Sequence, residues 1–268
     1  MSFETIKREQ IEYLRADGLP AVHAFSTRYG GVSAGPLSSL NLGFGRGDEP
    51  SNVEENWRRF GAAVGFTAEN LILTHQVHGD EVRIVNENDR GQGYITRPAP
   101  DCDALVTNVP GLALGVFTAD CVPILLCDEK KGVVGAVHSG WRGTALGIVK
   151  KAVETMETVF NCVPADIHAA IGPCIDRCCF ETRSDVPDAM RAALGDDAEG
   201  AIDDCGGGFY HVDLKELNLR WLHQAGVQAV QTCPFCTACE PQRFWSHRRV
   251  GAERGSLASV IVCPEGRA

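Results

Sequence analysis

Short apolar runs rich in β-branched residues alternate along this chain with longer segments of helical periodicity. Val22–Ser26, Leu71–Leu73, Val82–Val85, Val122–Cys127, Val133–Val137, Ile167–Ile171, Val227–Gln231 and Leu257–Val262 read as strands. Val53, Trp57, Phe60 and Val64 share one helical face, and Ser51 with Glu54 reads as the capping box that starts their helix. Ala145, Ile148, Val149, Ala152, Val153, Met156, Val159 and Phe160 predict a strong helix soon after His138. Ser184–Leu194 and Asp213–Gln224 predict two more, the second stopped by Gly226. Asn86–Pro100 is a polar loop, and residues 1–22 carry little chemistry. No internal repeat, low-complexity tract or linker interrupts the pattern. The irregular alternation predicts an α/β fold over residues 1–268: a single domain with mixed β-sheets flanked by helices.

The strongest local signal lies in Val116–Arg142. Val122–Cys127 and Val133–Val137 flank a polar turn and predict a hairpin. With the turn at Asp128–Lys131, Cys121 stands directly opposite His138, their Cβ atoms about 4.5–5.5 Å apart. Pro123 could seat a bulge and shift this register by one.

Composition narrows the function classes. Of the 268 residues, 44% are hydrophobic and 22% charged, ordinary values for a soluble globular protein. A net charge of −10 argues against broad nucleic-acid binding by charge, while leaving room for a local basic pocket. No apolar run approaches the roughly 18 residues needed to span a membrane, and the N-terminus lacks an apolar signal core. A cytoplasmic location is expected, with the 12 cysteines reduced and most of them small buried hydrophobes.

Four readings of the chemistry compete. His78, Cys121 and His138 offer two imidazoles and a thiolate, a zinc site with an open fourth position that activates water or polarises a substrate atom. Cys121 could instead be a metal-free nucleophile with His138 as its base. Cys233, Cys236 and Cys239 form C-x2-C-x2-C, which could hold an iron–sulfur cluster if Cys263 supplied the fourth thiolate; no such cluster is expected. The fourth reading is a non-enzymatic binding module, which leaves the reactive groups around the hairpin unexplained. His75 and His78, three apart on a strand, would point to opposite faces.

Eight motifs stand in order along the chain: T-R-x-G-G-x-S, L-N-L-G, H-Q-V-H-G, D-A-L-V-T, T-A-D-C-x-P-I, V-H-S-G-W-R-G, I-G-P-x-I and F-W-S-H-R-R. Together they resemble the laccase-domain, or polyphenol oxidase-like, family over roughly residues 20–262. One departure is visible: His247 stands where the family pattern commonly has Tyr. The resemblance implies one α/β domain with zinc held by His78, Cys121 and His138. It also implies phosphorolysis of adenosine, inosine, guanosine and methylthioadenosine, together with adenosine deaminase activity. Two alternatives stay open: a metal-free Cys-His hydrolase acting on a cell-wall precursor, since the family is linked to peptidoglycan editing, and a copper-dependent polyphenol oxidase. Eight histidines with no H-x-H pair suit a multicopper site poorly.

Phosphorolysis needs an anion pocket, a held ribose and help for the departing purine. Arg28, Arg142 and Arg248 are the anion candidates, aided by the helix start after His138. Asn41 could hold a ribose or base edge. His75 or Asp120 could exchange protons, beside Cys121 and His138 as the catalytic pair. The expected partners are purine nucleosides and phosphate, with no nucleic acid and no membrane, and a monomeric chain.

Overall fold

A computed structural model describes residues 2–96 and 99–264. Arg97 and Pro98, inside the loop expected over Asn86–Pro100, lie outside the described residues. The chain opens with an antiparallel hairpin, β1 (Phe3–Arg8) and β2 (Ile11–Ala16). β1 is largely exposed and β2 almost wholly buried, so neither shows the apolar–polar alternation that marks a half-buried strand. β3 (His23–Ser26) pairs with β2.

Helix α1 (Pro50–Val64) begins without the expected capping box. Glu49 is its N-cap, no side chain caps it, and Pro50 occupies the first turn, where a missing N–H costs nothing. The predicted face is correct: Val53, Trp57 and Phe60 are buried, and the Trp57 indole donates to the Leu42 carbonyl at 2.8 Å.

β4 (Leu71–Leu73), β5 (Val82–Ile84), β6 (Ala104–Thr107) and β7 (Ala113–Thr118) lead into the hairpin of β8 (Val122–Asp128) and β9 (Val133–Ser139). Its register differs from expectation. Asp128 pairs with Val133 and Pro123 with His138, with no bulge. The turn is Glu129–Gly132, because Gly132 takes a left-handed φ of 64° and Asp128 accepts the Lys131 amide across it. Cys121 therefore lies just before β8 and is not opposite His138.

The helix expected after His138 is two helices, α2 (Trp141–Ala145) and α3 (Ile148–Phe160). Gly147, at φ 69°, breaks the run, and the Trp221 indole beside it donates to the Thr144 carbonyl. Then follow β10 (His168–Ile171), β11 (Glu181–Thr182), α4 (Asp185–Leu194), β12 (Ile202–Gly206), β13 (Phe209–Val212), α5 (Leu214–Gln224), β14 (Ala229–Thr232), α6 (His247–Val250) and β15 (Leu257–Val262).

Two six-stranded sheets result, ordered β1-β2-β3-β15-β7-β4 and β14-β10-β8-β9-β6-β5, with a small β11-β13-β12 sheet beside them. Both large sheets mix parallel and antiparallel pairs. They stack face to face: Phe25, Leu114, Val116 and Ile261 of the first meet Leu105, Leu125, Val134 and Ala136 of the second. Outside the second sheet, Val122, Ile124 and Leu126 pack on Val149, Val153 and Leu217 of α3 and α5. Outside the first, Leu71, Leu73 and Val260 pack on the Val53, Trp57 and Phe60 face of α1. β8 and β9 are thus covered on both sides, which is why they read as continuous apolar runs. No helix among the described residues is long and apolar enough to cross a membrane.

Candidate functional site

The ends of β6, β8 and β9 bring the chemistry together. His138 is the penultimate residue of β9, and its buried ring is fixed by Asp103, the residue before β6, at 2.7 Å from Nδ1. That carboxylate, fully buried, also accepts the backbone N–H groups of Val77, His78 and Gly79 at 3.2, 3.1 and 2.8 Å. Burial opposes ionisation of Asp103, but the His138 ring and these amides outweigh it and hold the carboxyl below its usual range. His78 is not on a strand: it sits in a turn at φ 59°, a left-handed conformation worth about 1–3 kcal/mol of strain and held in place by the Asp103 contacts. Cys121 follows Asp120, whose φ of 92° swings the chain back towards His138 despite the changed register.

The Cys121 Sγ lies 4.0 Å from His78 Nε2, and the two imidazoles meet edge to face at 4.9 Å between centroids. With Nδ1 held by Asp103, His138 presents Nε2. One ligand atom from each of His78, Cys121 and His138 falls within 4.8 Å of the others, so this group could hold a metal ion. Zinc–nitrogen and zinc–sulfur bonds of about 2.0–2.3 Å suit that spacing, and a carboxylate behind a histidine is the usual outer support of a metal ligand. Burial resists ionisation of Cys121, yet the His138 and His78 rings bring its thiol down; conversely the Cys121 thiolate and Asp103 raise His138 against the effect of burial. The side chains thus store the thiolate charge that a cation needs. Gly140 is required here: a Cβ on it would come 2.9 Å from His78 Cδ2 and 3.3 Å from Cys121 Sγ.

This group opens on a cavity of about 670 Å³ that is also lined by Phe44, Arg46, Thr74, His75, Phe117, Thr118 and Arg254. Thr74 Oγ1, Thr118 Oγ1 and Arg254 Nε are buried without a protein partner, and all three residues line it. Buried polar atoms of this kind call for a ligand or water. Burial and the neighbouring Arg46 charge lower the Arg254 pKa to about 10. Two cations held close together suit an anion. His75 lines the cavity too, its Nδ1 held at 2.7 Å by Asp101, so both histidines of H-Q-V-H-G reach the site, against the expectation drawn from a strand.

The other expected residues are placed elsewhere. Arg28 stacks at 3.7 Å on Trp245 and donates to the Ser38 and Pro241 carbonyls. Arg142 is exposed and stacks at 4.1 Å on Trp141, in a helix of five residues. Arg248 donates to the Cys179 and Glu181 carbonyls. Asp120 accepts from Thr237 Oγ1 at 2.6 Å and from the Arg248 amide at 2.7 Å. Asn41 is fully buried and braces Gly43 and Ser256, both on the cavity lining. Among the described residues none of these five lines the cavity. Sequence reading missed Arg46 and Arg254, which stand in glycine-containing loops without a motif, and Asp103, which heads D-A-L-V-T and was thus in view.

The sequence pattern of the family described as multi-copper polyphenol oxidoreductase laccase matches residues 22–264. The chain belongs to that family. A relative from Deinococcus radiodurans, named purine nucleoside phosphorylase, is 40% identical over 255 residues, 94% of this chain and 92% of that protein. The purine nucleoside phosphorylase YlmD of Geobacillus stearothermophilus is 36% identical over 265 residues, covering 96% and 97% of the two chains. The crystal structure of that YlmD superposes with a TM-score of 0.92 at 35% identity, over 97% of this chain and 99% of the other. The mixed α/β fold is therefore the laccase-family fold.

Proposed function

We propose that this protein is a zinc-dependent purine nucleoside phosphorylase acting on adenosine, inosine, guanosine and methylthioadenosine, with an accompanying adenosine deaminase activity. The names of full-length relatives support the substrate class. The observation that carries the reading is the cavity, where a metal-capable His-Cys-His group, two arginines and three unpartnered buried polar atoms share one wall system.

In phosphorolysis a phosphate oxygen forms a bond to ribose C1′ while the bond from C1′ to the purine nitrogen breaks and its electron pair leaves with the base. Arg46 and Arg254 hold the phosphate. Phe44 and Phe117 offer aromatic faces to the base, and Thr74 and Thr118 offer hydroxyls to the ribose or phosphate. His75, oriented by Asp101, gives the departing purine a proton from its free nitrogen. His78, Cys121 and His138 would hold zinc, which supplies Lewis acidity and water activation when bound.

The test is incubation of purified protein with adenosine, with and without phosphate. Adenine and ribose 1-phosphate appearing only with phosphate establishes phosphorolysis, and inosine establishes deamination. Dye oxidation that needs added copper, without nucleoside turnover, would overturn the reading.

A further inference from the structure

Twelve cysteines are many for one metal site, and the cavity uses only Cys121. Four others converge elsewhere. Cys178 and Cys179 lie in the loop after β10, Cys236 and Cys239 in the loop after β14, and a parallel bridge between Cys174 and Cys236 brings the loops together. The four Sγ atoms all lie within 4.8 Å of one another. Cys178 and Cys179 are 3.7 Å apart, and both reach Cys239, at 3.6 and 3.4 Å. Of the sequence triad, Cys233 is not in this group, and neither is Cys263, the expected fourth ligand; both are buried elsewhere, and Cys178 and Cys179 stand in their place.

We propose that Cys178, Cys179, Cys236 and Cys239 bind a second, structural zinc ion as a closed tetrathiolate. A tetrahedral zinc with bonds of about 2.3 Å sets sulfur–sulfur distances near 3.8 Å, close to those among Cys178, Cys179 and Cys239. A disulfide needs about 2.05 Å and joins sulfurs in pairs, whereas all four of these lie within 4.8 Å of one another. An iron–sulfur cluster puts its thiolates on different irons with sulfides between them; sulfurs this close leave room for a single ion. The surroundings suit a charged thiolate centre. The Asp176 amide points at Cys236 Sγ at 3.3 Å, the Arg249 guanidinium donates to the Ala238 carbonyl, and Arg248 donates to that of Cys179. Ile175, Cys236 and Ala238 form a small apolar cluster under it, with Phe180 packed alongside. The same two loops hold Asp120: its carbonyl accepts the Ile175 amide at 2.9 Å and its carboxylate accepts from Thr237, joined by the Arg248 amide of α6. The ion would thus staple the wall behind Cys121.

Zinc is counted by elemental analysis in protein purified without added metal, in the wild type and in a Cys121→Ser background that weakens the cavity site. One zinc per chain should persist in Cys121→Ser and disappear when Cys179→Ser and Cys239→Ser are added. Replacement by cobalt should give the thiolate-to-cobalt absorption of a four-sulfur tetrahedral site, lost in the same variant. The native chain gives a check that does not depend on the variant folding: Cys178 and Cys239, exposed at the surface, should resist alkylation until the metal is chelated. Zinc unchanged in the serine variant, a disulfide among the four in the native protein, stoichiometric iron and sulfide, or alkylation indifferent to chelation would each overturn the proposal. The cavity reading fails separately: wild type would then carry one zinc, still abolished by Cys179→Ser with Cys239→Ser.

Discussion

Two groups of metal-capable side chains sit on either side of Asp120, and they differ in kind. His78, Cys121 and His138 mix nitrogen and sulfur donors, number three, and open on a cavity with arginines and unpartnered hydroxyls. Cys178, Cys179, Cys236 and Cys239 are all sulfur, number four, and have no place on that cavity. Three donors leave a coordination position for chemistry, while four close the shell and leave only cohesion. Donor number and what lies beside the group separate a reactive centre from a staple.

The sharpest way to break this contrast is to remove cavity ligands one at a time. His78→Ala, Cys121→Ala and His138→Ala should each strip the cavity metal and cut nucleoside turnover about a thousand-fold or more, with chelation doing the same and zinc restoring it. Full activity in His78→Ala would favour a metal-free thiolate, which needs only one base. Next in size is Asp103→Asn. It keeps the ligands but weakens their support, and should lower metal affinity about 10- to 100-fold, read by competition with a chromophoric chelator. Arg254→Ala should raise the phosphate KM about ten- to a hundred-fold, the range for a lost charge-assisted hydrogen bond of about 1.5–3 kcal/mol. Arg142→Ala, stacked on Trp141 away from the cavity, should leave phosphate use within about two-fold, since surface changes of this kind are nearly neutral.

How far these residues could be read in advance follows from what fixes them. β8, β9 and β15 were legible because burial demands unbroken apolar runs. β1 and the small β11-β13-β12 sheet were not, since exposed or half-exposed polar strands leave no periodic trace, and β2, buried yet carrying Glu12 and Arg15, shows neither alternation nor an apolar run. The two histidines and Cys121 could be paired because few residue types bind metal and the hairpin confines them. The register slipped because one glycine, Gly132, moved the turn. Arg28, Arg142 and Arg248 are anion candidates by charge alone, but a long guanidinium settles wherever its neighbours hold it, and these three settle on Trp245, Trp141 and the Cys179 carbonyl. The cysteine group draws on loops 57 or more residues apart in sequence, which the pairing of β10 with β14 and the Cys174–Cys236 bridge bring together.

A separate prediction is a control on the frame that carries both groups. His23, on β3, is buried and neutral, its Nε2 accepting the Ala16 amide while Nδ1 donates to the Ala21 carbonyl. Burial lowers its pKa from 6.5 to about 4. The unfolded chain therefore takes up the proton first, so stability is whole above pH 6.5 and falls as pH drops towards 4, by about 3 kcal/mol at most. Urea unfolding at pH 7 and pH 4.5 should show this loss, and His23→Gln should flatten it. Metal release in acid has to be judged against that slope.

The Asp103 carboxylate grips the His138 ring and the three amides that set the His78 turn. Two ligands from distant parts of the chain are therefore tied to one anchor and cannot drift apart on their own. A metal bound there would meet both imidazoles already in place, so little chain ordering would be left to oppose its binding.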